Sequence, residues 1–113
     1  MNEPPYAIVV YPSAATQSRP SLTLAELSRL TGLDRSLLRR FAFFAVIDSY
    51  ADRGGTLRFP ISELPRLARG VRLRRHLGVS VPSLGLVLDL LERVDSLESE
   101  LERLKKIGTT GTA

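Results

Sequence analysis

Along the last third of the chain apolar residues recur at alternating spacings of three and four: Val87, Leu90, Val94, Leu97, Leu101 and Leu104. With Val87, Val94 and Leu101 at a positions and Leu90, Leu97 and Leu104 at d positions, this is an unbroken heptad stripe. Upstream of it, Leu84, Leu86, Val87, Leu88, Leu90 and Leu91 crowd most of a helix circumference, so the first turns belong to a core as well as to a seam. The pattern predicts a helix from Leu84 to Ile107, with Ser80 as its cap and Pro82 in the opening turn, where a missing amide costs least. A small domain has too little surface to cover such a stripe by itself. The expected cover is a second copy, with a dimer interface of Val87, Leu90, Leu91, Val94, Leu97, Leu101 and Leu104; the competing reading is packing within one chain.

The preceding residues alternate between short helical and short extended patterns. Tyr6-Ala-Ile-Val-Val-Tyr11 is β-branched and aromatic and is stopped by Pro12, which predicts a strand, with a Ser/Thr-rich loop after it. Thr23-Leu-Ala-Glu26 is a capping-box pattern. The helix it starts carries Leu24, Leu27 and Leu30 on one face and stops before Gly32, which suits a left-handed turn. Asp34 is the expected cap of a second helix reaching about Ala45, with Leu37, Leu38, Phe41, Phe44 and Ala45 as its core stripe. Two short helices joined by a tight glycine turn make a helix-turn-helix. Ile47–Tyr50, the reversal Asp52-Arg-Gly-Gly55 and Thr56–Phe59 then predict a β-hairpin, the wing of a winged helix; Tyr6–Tyr11 is its expected third strand. Ser62 is the expected cap of a third helix, with Pro65 in its first turn and Gly78 at its end.

The fold class is therefore mostly α with a small β wing. Residues 1–21 form an N-terminal strand and loop, 22–82 the winged helix-turn-helix, 83–107 the dimerisation helix and 108–113 a disordered tail. Composition narrows the function. The 113 residues are 43% hydrophobic and contain no cysteine and one histidine, His76, set in an arginine-rich helix. Disulfides and thiolate zinc sites are excluded, and no second histidine is present to complete a transition-metal site. No glycine fingerprint for nucleotides occurs, and paired carboxylates appear only on the heptad helix. The chain is expected to be non-enzymatic, to use no cofactor or small-molecule substrate, and to be cytoplasmic, with no membrane-spanning stretch. Its net charge of +4 is uneven. Residues 61–82 carry five arginines against Glu63, and residues 83–113 carry six acids against four basic residues. Charged partners are implied for either part.

The element order, with Thr23-Leu-Ala-Glu-Leu-Ser-Arg-Leu-Thr-Gly-Leu33, a glycine-tipped wing and a Leu-Gly-Val-Ser stop before the last helix, resembles a MerR-type winged helix-turn-helix. Within that class the chain is similar to the CbpM family of chaperone modulators. The similarity is carried by Val71-Arg-Leu-Arg-Arg-His-Leu77, Leu84-Gly-Leu-Val-Leu-Asp-Leu-Leu91, the heptad tail and Phe59. The resemblance spans about residues 6–107. It implies a regulator that binds the J-domain of a DnaJ- or CbpA-like co-chaperone and keeps it from the DnaK-type ATPase. A J-domain presents a basic helix, so acids on the modulator would be complementary. Asp89, Glu92, Asp95 and Glu102 point away from the heptad seam and are assigned to that partner, together with the exposed Phe43.

The rival reading is a MerR-family transcription regulator, whose second helix enters the major groove. Arg35, Ser36, Arg39 and Arg40 lie off the core stripe of that helix, and Arg53 and Arg58 extend the basic surface through the wing. Against it, Arg39-Arg40 stands where such regulators usually carry Tyr-Tyr, and Phe43 occupies a side where a DNA reader is polar. The arginine pair also departs from the modulator pattern, which tends to be acidic there. A pure assembly module is a third reading, but it leaves the wing without a purpose.

Overall fold

The computed structural model describes residues 20–111, with side-chain burial described as far as residue 108. The strand expected at Tyr6–Tyr11 lies outside the described residues. The described order is β1 (Ser21–Thr23), α1 (Leu24–Thr31), α2 (Arg35–Phe43), β2 (Tyr50–Ala51), β3 (Leu57–Pro60), a 3-10 turn (Ile61–Glu63), α3 (Leu64–Leu77) and α4 (Val81–Gly111). The three strands form an antiparallel sheet in the order β1-β3-β2, with Leu22 opposite Phe59 and Tyr50 opposite Arg58. The chain is thus mostly helical, with a small sheet and a long C-terminal helix.

The local signals act as their chemistry requires. Thr23 accepts from the Glu26 amide at 3.2 Å, and Glu26 accepts from the Thr23 amide at 2.8 Å. That bond from the Thr23 amide, with the threonine hydroxyl next, holds the Glu26 carboxyl below its ordinary range. Gly32 and Gly78 close α1 and α3 in left-handed conformations, at φ 72° and 67°. In the wing, one Asp52 carboxylate oxygen accepts from the amides of Gly54 and Thr56, each at 2.9 Å, and the other accepts from Arg58 Nε at 3.1 Å. Those donors, the Thr56 amide foremost, hold the Asp52 carboxyl below its ordinary pKa. Gly55, at φ 79°, completes the reversal.

Several expectations need correction. Among the described residues the strand beside the hairpin is β1, which the sequence patterns do not signal and which ends in the very threonine that caps α1. Of the three leucines on α1, Leu27 is buried and Leu24 packs partly buried against the core, while Leu30 is 64% exposed; the three span roughly 120° of a helix, and Leu30 lies at the edge turned to solvent. Asp34 takes the extended cap conformation but makes no capping bond, because its carboxylate accepts from the Ser36 hydroxyl. Helix α2 stops at Phe43, short of Ala45. Its end is a Schellman-type closure, with Val46 N donating to Phe41 O at 2.8 Å and Ala45 N to Ala42 O at 3.1 Å. Ala45 takes the left-handed position at φ 54°, where glycine is usual; burial of the next two residues, Val46 and Ile47, offsets that strain. The third helix starts at Leu64 after a 3-10 turn that contains Ser62, with no side-chain cap. Helix α4 runs from Val81 through Gly111, so the tail expected to be disordered from Gly108 is helical to residue 111. One glycine costs about 1 kcal/mol against alanine and does not stop a helix of this length.

The core unites Leu27, Leu38, Phe41, Val46, Ile47, Phe59, Leu67, Val81, Leu84 and Leu88. Gly70 lets α3 approach: a Cβ there would sit 3.2 Å from the Phe41 ring and 3.5 Å from Leu88. At Gly85 on α4 a Cβ would lie 3.5 Å from the Phe44 carbonyl, an ordinary contact distance, so α4 packs directly on the turn after α2. Leu88 is fully buried between these elements, and Leu88→Ala is expected to lower unfolding free energy by about 2–4 kcal/mol in a urea titration.

Candidate functional site

Helix α4 carries apolar residues on two opposite faces. Val81, Leu84 and Leu88 are buried in the domain, whereas Leu86, Leu90, Val94, Leu97, Leu101 and Leu104 stay 45–65% exposed. At 100° per residue these six fall within an arc of roughly 80°, turned away from the buried face. Of the interface residues expected from the heptad, Leu90, Val94, Leu97, Leu101 and Leu104 lie on this outer stripe. Val87 and Leu91 are partly covered by their own domain. Leu86 was not anticipated at the seam; it precedes the first a position, yet it is the most exposed leucine of the stripe. Ile107, 61% exposed, lies to one side of the arc near its far end.

The acids of α4 nearest the domain do not stand free, contrary to what their place on the helical wheel suggests. Arg66 on α3 donates from Nη2 to Asp89 at 2.9 Å and from Nη1 to Glu92 at 2.6 Å. Arg69 donates to Asp95 at 3.0 Å. Three of the four carboxylates assigned to a basic partner are therefore already bonded within the chain. Their side chains nonetheless remain 54–68% exposed. Glu102 lies beyond the domain on the exposed part of α4. The Arg66 guanidinium also donates to two carbonyls, Val46 O from Nε at 2.6 Å and Gly85 O from Nη2 at 3.3 Å. Burial works against its charge, but the bonds to Glu92 and Asp89 prevail and hold its pKa above the ordinary arginine value.

The basic residues divide in the same way. Arg35, Arg39 and Arg40 are exposed on α2 and Arg53 at the wing tip, and none of them forms an ion pair among the described residues. Arg58 is bonded to Asp52 inside the wing, and the Ser36 hydroxyl is committed to Asp34. Arg40 and Arg74 line one shallow depression of about 430 Å³ at the start of α4. Phe43 is 40% exposed and stacks on Phe44, with ring centroids 4.7 Å apart. This aromatic pair sits beside the turn that packs on Gly85, so α2, the turn and α4 meet there.

Among the described residues, no group of three or more His, Asp or Glu side chains could hold a metal ion, and no helix is long and apolar enough to cross a membrane. No curated protein matches the chain. The family described as MerR HTH family regulatory protein matches over residues 22–106, from β1 almost to the end of α4. With a helix-turn-helix, the wing, α3 and most of α4 inside that span, the chain belongs to the MerR HTH family of regulatory proteins.

Proposed function

We propose that this chain is a non-enzymatic, homodimeric regulator acting in the cytoplasm, which binds the J-domain of a DnaJ- or CbpA-type co-chaperone and blocks its engagement with the DnaK-type chaperone. The observation that carries a protein partner is the Phe43–Phe44 stack. An exposed aromatic pair at the end of α2 is suited to burial against another protein, and aromatic side chains dominate the centres of such interfaces. The sequence stretch similar to chaperone modulators builds α3 and the first turns of α4, which lie beside that pair. Along α4, Asp89, Glu92 and Asp95 keep half or more of their surface in water while bonded to arginine. They can meet a basic helix at the rim without being stripped of their partners, so charge here serves orientation more than affinity. Pairing of two copies through Leu90, Val94, Leu97, Leu101 and Leu104 would cover the outer stripe of α4. Calorimetric titration of the dimer with an isolated J-domain from the same organism is expected to give binding near micromolar affinity. Phe43→Ala is expected to weaken it by roughly tenfold, the usual scale for truncating an interface anchor. Absence of binding with the dimer intact would overturn the reading.

A second reading, a DNA-bound transcription regulator, is favoured by the uncompensated Arg35, Arg39, Arg40 and Arg53. Arg39→Ala would then weaken duplex binding and reduce the slope of affinity against salt by about one, because one phosphate contact is lost. A chain that is not retained on random duplex at low salt is not such a regulator.

A further inference from the structure

The grip of the domain on α4 weakens along the helix. Val81, Leu84 and Leu88 are buried, Leu91 is half-buried, and every residue from Glu92 to Gly108 is exposed. Apolar packing therefore holds the first two to three turns and nothing further out. The last ties to the domain are polar: Asp89 and Glu92 to Arg66, then Asp95 to Arg69.

Arg66 does more than pair charges. Its side chain is 16% exposed, and one guanidinium serves four acceptors on two other elements. Nε fixes the Val46 carbonyl in the turn after α2, directly beyond the left-handed Ala45. The two Nη groups fix α4 at Gly85, Asp89 and Glu92. A planar fork can do this because its donors point in fixed, divergent directions; an ammonium cannot. The turn that carries Phe43 and Phe44 and the helix that carries the outer stripe are thereby registered against a single group on α3.

We propose that Arg66 is the positioning residue that fixes the direction of α4 relative to the helix-turn-helix and wing. The lever makes this consequential. From Asp95 to Gly111 the helix extends roughly 24 Å at 1.5 Å per residue, so a swing of about 10° moves its end by roughly 4 Å. In a dimer paired through α4, which rests on the reading above, the same angle sets the separation of the two α2 faces. A partner that contacts both copies is then selected by that separation. The angle itself belongs to one chain and does not depend on pairing.

The chain has no cysteine, so spin labels can be placed at Thr56→Cys on the wing and Ser99→Cys on α4, both exposed positions. Labelled chain diluted into excess unlabelled chain reports the distance within one molecule, whether or not copies pair. The wild-type background is expected to give one narrow distance distribution. Arg66→Gln and Arg66→Lys are both expected to broaden or shift it while thermal unfolding remains cooperative. Asp89→Asn with Glu92→Gln, which leaves the Val46 bond in place, is expected to broaden it as well, and it decides the matter if the Arg66 variants fail to fold. A distribution unchanged by these substitutions would overturn the proposal and assign the angle to Leu84 and Leu88 alone. Light scattering on the same samples reports pairing separately, so loss of the angle and loss of the dimer are told apart.

Discussion

The structure turns on one constraint: α4 is apolar on two opposite faces, and the domain in front of it can cover only one. Val81, Leu84 and Leu88 complete the core formed by α2, α3 and the sheet. Leu86, Leu90, Val94, Leu97, Leu101 and Leu104 remain outside. Water is a poor neighbour for six large aliphatic side chains in a row. At roughly 25 cal/mol for each Å² removed from water, covering such a stripe is a substantial driving force for association.

Much of the remaining architecture serves to seat the inner face. Gly70 brings α3 to a distance from Phe41 that a side chain would crowd, and Gly85 seats α4 against the turn after α2. Ala45 takes a backbone conformation better suited to glycine so that Val46 and Ile47 can turn into the core. Arg66 then closes the junction, satisfying a turn carbonyl and two carboxylates at once. The two carboxylates stay exposed and their charges are screened by water, so the Val46 bond, made by the covered side of the guanidinium, is the one whose loss leaves a less hydrated group unmatched.

Features written in adjacent residues were legible in the sequence. The capping box at Thr23 and Glu26, the stops at Gly32 and Gly78, the wing reversal at Asp52–Gly55 and the heptad of α4 each depend on residues a few positions apart. Features that depend on distant residues were not. Strand β1 is three residues long and exists because β3 pairs with it. The early end of α2 follows from what Val46 and Ile47 must bury. The acids at 89, 92 and 95 look free on a helical wheel, and only the fold brings Arg66 and Arg69 onto them. Leu86 falls just outside the heptad a and d positions, so a pattern read from those positions passes over it. At the candidate site, the exposure of Phe43 and of the α2 arginines could be read from periodicity, but the withdrawal of Arg58 and Ser36 into local bonds could not.

For function, the family supplies a regulatory scaffold, and the surfaces decide what it regulates. Arg40 and the Phe43–Phe44 pair lie near the start of α4, a partly neutralised acidic edge follows along the helix from Asp89 to Asp95, and the outer stripe runs on beyond them. The account stands on that stripe being covered by a second copy. Sedimentation equilibrium of the full chain at micromolar concentration tests this directly. The predicted mass is twice the 12.5 kDa of one chain, falling to that of one chain in Leu97→Lys, where a charge would be buried in the seam. A native chain that sediments as a monomer, or a Leu97→Lys chain that still sediments as a dimer, would contradict it.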